Sequence, residues 1–271
     1  MNIIIVQSLT FALLASSINY PLSAGNLNAE AKLQRYAEAV SGKLHPWARA
    51  AVPRIPDFGR RLVAIRGYLR SAQAIEAKWV WSPEEIGRFK VSAEHQEILA
   101  EVEKIKRRFG ELNPGYTLSA NTGVRSLDEQ IKSWNETASI KRAGEALVAD
   151  SLKELSAPNY KDEPDAAGLA RFTRFLQYAR LAQVPTLATP GLSPHGQLRA
   201  LDFVVKRGDQ VIAGTLSANI KNEWDDSGWG RKLNEAIKQS SNKFTGPLAS
   251  PRRLGITPTF RRAQVARLTC S

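Results

Sequence analysis

The stretch Ser193-Pro194-His195-Gly196-Gln197-Leu198-Arg199-Ala200-Leu201-Asp202-Phe203 constrains this chain more than any other. Pro190, Gly191 and Pro194 punctuate its start, so it opens as a loop. Residues 198–205 are rich in apolar and β-branched side chains, so it ends as a strand. At period two, Leu198, Ala200, Asp202 and Val204 share one face; Leu201, Phe203 and Val205 share the other, which is the predicted core face. The spacing thus predicts a mid-strand Asp202 beside the small Ala200, with a loop-borne His195 just upstream. Imidazole and carboxylate brought together in this way are ordinary ligands of Zn²⁺. Read alone, the same two residues are also compatible with a solvated loop histidine and a carboxylate on a half-exposed strand.

At 271 residues and 43% apolar content, the chain has enough material for one domain of ordinary size plus an extension, and global disorder is excluded. The formal net charge is +12. The basic residues are scattered and no nucleic-acid-binding motif accompanies them, so no nucleic-acid partner is expected. An anionic cell-wall polymer or a membrane surface fits the charge. Cys270 is the single cysteine, which excludes an internal disulfide, and with three histidines the chain cannot form a zinc-finger type cluster. Residues 3–16 are largely apolar, and Leu22-Ser23-Ala24 before Gly25 resembles a cleavage site. This predicts an export signal over residues 1–24 and a periplasmic or secreted mature protein. The alternative is a buried or frayed N-terminal helix, since no Lys or Arg precedes the apolar run. The run is too short for a spanning helix, so no stable membrane span is expected once the signal is removed.

Helical patterns follow at 26–44 and 58–79, the latter with Leu62, Ile65, Leu69 and Ala72 on one stripe. Ser82, Pro83, Glu84 and Glu85 predict a capped helix start, with the helix running to Phe109 and stopping at Gly110. Residues 25–110 thus read as a helical extension, and His45 and His95 within it read as structural or solvated side chains. Beyond the Asn113-Pro114-Gly115 turn, 116–120 read as a strand. Ser126 with Glu129 predicts a capping box opening a helix that carries Ile131 and Trp134. Further helices are predicted over 140–155, 165–182 and 229–239, and a hairpin over 201–214 turning at Gly208. The pattern is α+β: a small, mostly antiparallel sheet with surrounding helices, preceded by the extension.

The spacing Ser193-x-His195-x-x-Leu198-x-Ala200-x-Asp202 resembles the Ser-x-His-x-x-Gly-x-Ala-x-Asp signature of zinc D,D-carboxypeptidases and related peptidoglycan peptidases of the vancomycin-resistance type. Leu198 stands where that signature has Gly. A second motif of the family, near Ser-Gly-Tyr-Arg-Ser-x-x-x-Gln, has its counterpart upstream in Thr122-Gly123-Val124-Arg125-Ser126-Leu127-Asp128-Glu129-Gln130. The resemblance covers residues 111–251 and implies the fold shared by D,D-peptidases and the Hedgehog signalling domain. It also implies Zn²⁺ held by His195 and Asp202. Arg125 would be the catalytic and substrate-binding cation, with Ser193 and Gln130 supporting substrate binding. The implied partners are peptidoglycan stem peptides. From the residues alone, Arg125 also reads as a surface arginine before a helix, and Gln130 as a solvated helix residue.

The third ligand of that family lies in a C-terminal Pro-Trp-His-Tyr-like stretch, and this chain has no histidine after His195. Glu223 and Asp226 offer carboxylates, although residues 223–226 also read as a loop and helix N-terminus, where Asp is favoured. The tail suggests a further explanation. Leu254-Gly255-Ile256-Thr257-Pro258-Thr259 can be encoded as CTT GGC ATT ACA CCT ACG. Begun one base earlier, with a C ending the Arg253 codon, the same bases read Pro-Trp-His-Tyr-Thr-Tyr. Residues 252–271 are therefore expected to be an atypical basic tail produced by out-of-frame translation. The expected function is an exported zinc metallopeptidase-like protein hydrolysing stem peptides, impaired as written; the alternative is a non-catalytic cell-wall binding module.

Overall fold

The structure is a computed structural model in which residues 24–215 and 219–244 are described. The expected export signal, but for Ala24, and the expected out-of-frame tail lie outside these residues.

Four helices build the larger core. They are α1 (Ala24–Gly42), α3 (Phe58–Ser71), α8 (Ala138–Leu155) and α9 (Ala166–Tyr178). Each buries an apolar stripe: Leu33, Tyr36 and Val40 on α1; Leu62 and Ile65 on α3; Ile140 and Leu147 on α8; Phe172 and Leu176 on α9. The short helices α2 (Pro46–Ala51) and α4 (Ile75–Lys78) complete this layer. Helices from before residue 110 and helices from after it thus share one core, so the expected extension is packed into the body of the protein.

Helices α3 and α8 meet at Gly59 and Gly144, which bring two backbones into contact. A Cβ on Gly144 would lie 2.5 Å from the Gly59 carbonyl carbon. Helix propensity favours Ala over Gly by about 1 kcal/mol, but here the neighbour is backbone and has little room to yield. Gly144→Ala is expected to destabilise the protein by about 1–3 kcal/mol, read as a lower urea midpoint. Gly87 lies on the exposed helix α5 (Pro83–Lys90) with open space around it, so Gly87→Ala should be neutral or stabilising.

The smaller core covers a three-stranded antiparallel sheet of order β1-β2-β3: β1 (Thr117–Asn121), β2 (Asp202–Arg207) and β3 (Gln210–Ala213). Helices α6 (Ala93–Leu112) and α10 (Trp229–Ser240) cover it through Ile105, Phe109, Trp229, Leu233 and Ile237 against Leu118, Val205 and Ala213. The chain is therefore α+β, with a small antiparallel sheet among helices, as the sequence predicts. Among the described residues no helix is long and apolar enough to cross a membrane.

Four elements differ from the sequence expectation. The helix predicted from Ser82 to Phe109 is two helices, because Ser92 ends one and starts the next. Its hydroxyl donates to Phe89 O at 2.7 Å and accepts from His95 N at 3.2 Å. The helix predicted over 58–79 breaks at Ser71 into a 3₁₀ turn before α4. The strand predicted from Leu198 starts only at Asp202. Leu198 has φ 54° and ψ 23°, a left-handed conformation that no strand contains. Leu198 accordingly leaves the face assigned to it and is buried with Ile86 and Phe89. Residues 223–226, read as a loop and helix N-terminus, belong instead to a turn of π-helix, Lys221–Asp226.

Candidate functional site

The site forms where the segment leaving β1 runs beside the segment entering β2. In the antiparallel register Asn121 faces Asp202, so the residues after Asn121 and those before Asp202 lie at the same end of the sheet. Residues 122–126 lead from β1 to helix α7 (Leu127–Glu136). Ser126 caps that helix in a full capping box: its hydroxyl accepts from Glu129 N at 3.3 Å, and Glu129 Oε2 accepts from Ser126 N at 2.7 Å. The cap fixes the chain direction one residue after Arg125. On the other side, residues 194–197 form a 3₁₀ turn that carries His195. The two segments are joined by a hydrogen bond from Arg125 N to His195 O at 3.2 Å.

Three predicted site side chains converge. The Arg125 guanidinium donates to Asp202 Oδ2, and His195 Nε2 lies 3.7 Å from Asp202 Oδ1. Burial lowers the pKa of His195 below its ordinary 6.5, outweighing the raising effect of the Asp202 carboxylate; Arg125 lowers it further. His195 is therefore neutral at pH 7, with a lone pair available to a cation.

Gln130 lies beside this cluster, but its amide is spent on the backbone. It is buried, its Nε2 donates to Arg125 O at 2.9 Å, and its Oε1 accepts from Gly191 N at 2.9 Å. It ties the arginine segment to the loop before His195. Ser193 opens the 3₁₀ turn with its carbonyl, which accepts from Gly196 N at 2.9 Å, while its hydroxyl does not cap the turn.

Sequence reasoning missed Gln197 and the 77–81 segment. Gln197 is buried, and its Nε2 donates to Trp79 O at 2.8 Å and Ala77 O at 3.1 Å. Val80 N donates to Gly191 O at 2.8 Å, and Trp81 N to Gly196 O at 3.1 Å. The His195 turn is thus held from both sides, by α7 and by the link between α4 and α5. A glutamine within a turn carries no periodicity, and nothing in the local pattern marks which backbone its amide will reach.

The nearest donor atoms of the expected ligand pair are His195 Nε2 and Asp202 Oδ1. Two donors on one tetrahedral Zn²⁺ stand about 3.3 Å apart, close to the 3.7 Å between these atoms. The separation is compatible with a shared divalent ion, and equally with an ion pair, while Asp202 is already engaged by Arg125. A zinc peptidase centre needs a third protein ligand, and among the described residues no three His, Cys, Asp or Glu side chains are grouped to hold a metal. Glu223 accepts from Gly214 N and Asn219 Nδ2 at 2.7 and 2.8 Å, and Asp226 pairs with Lys221. His45 contacts Glu76 and Trp47, and His95 contacts Lys90 O.

Comparison with protein-family models, with curated proteins and with solved structures gives no match to this chain.

Two outcomes are expected from this geometry. The metal-free His195 imidazole should titrate below 6.5, followed by NMR of its ring signals. Because the unfolded chain takes the proton first, the contribution of neutral His195 is complete above 6.5. It declines as the pH falls through the folded-state pKa. A midpoint at or above 6.5 contradicts this account. The left-handed Leu198 yields the second. Leu198→Ala and Leu198→Gly lose the same apolar contacts, but only alanine retains the backbone penalty. The glycine variant should be the more stable of the two by about 1 kcal/mol in chemical denaturation.

Proposed function

We propose that this protein is a peptidoglycan-directed member of the zinc D,D-carboxypeptidase type, exported to the periplasm or cell wall and acting on stem peptides. The observation that carries the proposal is the convergence of two motifs 77 residues apart: Arg125 bonded to Asp202, and His195 Nε2 poised 3.7 Å from the same carboxylate. A second observation supports it. Leu198, at the position where the family signature has glycine, adopts the conformation glycine favours.

In this reading His195 and Asp202 hold the metal, which when bound polarises the scissile carbonyl and lowers the pKa of its water. Burial keeps His195 unprotonated at neutral pH, so that it meets a cation without first losing a proton. Arg125 supplies a guanidinium for a substrate carboxylate or a developing oxyanion. The third imidazole is encoded, on this proposal, in the frame adjacent to residues 254–259. The chain as written therefore binds zinc weakly and turns over poorly.

The gene sequence across the codons for Ser250 to Thr259 tests this directly. The adjacent frame should spell Trp-His-Tyr and remain open. Expression of that frame should raise zinc affinity by orders of magnitude, since a two-ligand site leaves the metal largely to water. The restored protein should cleave a D-Ala-D-Ala peptide, and His195→Ala should abolish both properties. An adjacent frame closed by stop codons, or lacking Trp-His, refutes the displaced-frame account. The incomplete ligand set of the described residues favours a second reading, a cell-wall binding module without catalysis. Retention on peptidoglycan without turnover, in both forms of the protein, selects it.

A further inference from the structure

Asp202 is the one carboxylate that the proposed metal site depends on, and one of its two oxygens is already engaged by a cation of the chain itself. The Arg125 side chain is 40% exposed and that of Asp202 26%, so the guanidinium is open to solvent over part of its surface. The main chain of Arg125 is fixed independently, through its N–H to His195 O and its carbonyl to Gln130. The side chain can therefore change partners without disturbing the turn. A positive guanidinium in contact with a carboxylate lowers the affinity of that carboxylate for any second cation, because the two share one negative charge.

We infer that Arg125 competes with a divalent cation for Asp202, and that an anionic ligand which draws the guanidinium away strengthens cation binding at His195 and Asp202. Carboxylate and metal then bind with positive coupling, and the coupling is reciprocal. Arginine suits this exchange, because its planar fork accepts the Asp202 carboxylate and a ligand carboxylate by the same geometry. The inference rests on the metal seat proposed above and adds to it a device that keeps the seat occupied by an internal cation until an anion arrives.

The test is a Zn²⁺ titration of the chain followed by the ring NMR signals of His195, assigned with His195→Gln, at constant ionic strength with chloride or acetate as the anion. Arg125→Gln should bind Zn²⁺ about tenfold more tightly than the parent, the size of effect expected on removing one close charge. Arg125→Lys, which keeps the cation, should stay near the parent. Acetate should tighten Zn²⁺ binding in the parent and leave Arg125→Gln unchanged. An Arg125→Gln variant that binds Zn²⁺ equally or more weakly makes the arginine a support rather than a competitor, and overturns the inference while leaving the metal seat in place. Tighter binding by the lysine variant overturns it too, since the effect would not be one of charge. An acetate effect equal in parent and Arg125→Gln overturns the coupling. If His195 responds to Zn²⁺ in none of these proteins, the metal seat itself fails and the inference falls with it.

Discussion

The antiparallel pairing of β1 with β2 is the constraint on which the site depends. Register in a sheet with one covered face is fixed by the side-chain alternation. Leu118 and Val205 are paired in that register and both buried under α6 and α10, so slipping the register by one residue would turn one of them out to solvent. The same register sets Asn121 opposite Asp202. Because the strands are antiparallel, the segment leaving one and the segment entering the other emerge together. Arg125 and His195 meet for that reason, although nothing in their local sequence requires it.

What the sheet brings together, buried amides hold. Gln130 and Gln197 are buried, and each places its amide on the backbone of a segment distant in sequence. A buried amide hydrogen bond contributes only about 1 kcal/mol net, but leaving such a group without its partner costs about 1–3 kcal/mol. The arrangement therefore acts more by exclusion than by attraction: any displacement of the His195 turn strands several polar groups at once. It also explains how residues 77–81, from a part of the chain that reads as an extension, come to form one wall of the site. Gly196 is part of the same fit, because a Cβ there would meet Val80 and Gln130 Nε2 at 2.8–2.9 Å.

Much of the fold was legible in the sequence where local chemistry decides it. The N-cap at Ser82 and the capping box at Ser126 form as their residues dictate, as do the hairpin turning at Gly208 and the helix opening at Trp229. The failures share a cause, which is tertiary context overriding local pattern. Ser92 interrupts an apolar periodicity that continues through it, so the pattern conceals the break. Leu198 alternates correctly with Ala200 and Asp202, yet the hydrophobic pocket of Ile86 and Phe89 draws it out of the strand. In the site, the convergence of His195, Asp202 and Arg125 followed from two motifs in order. The internal engagement of Gln130 did not, because a helix residue near a cap offers no sign of which backbone its amide will reach.

Leu198 also shows how the turn is balanced. A left-handed non-glycine residue costs about 1–2 kcal/mol, and burying a leucine side chain returns about 1.5–3 kcal/mol. The two terms are of similar size and opposite sign, so a leucine can occupy the position without the loop relaxing to a strand. The geometry is then imposed by the bonds on either side of it, Arg199 N to Pro194 O after it and Trp81 N to Gly196 O before it, rather than by the preference of the residue itself. A turn defined in this way keeps the histidine and the aspartate facing each other even with a non-glycine residue at position 198. The spacing of His195 and Asp202 can therefore persist although, among the described residues, no further His, Cys, Asp or Glu is grouped with them.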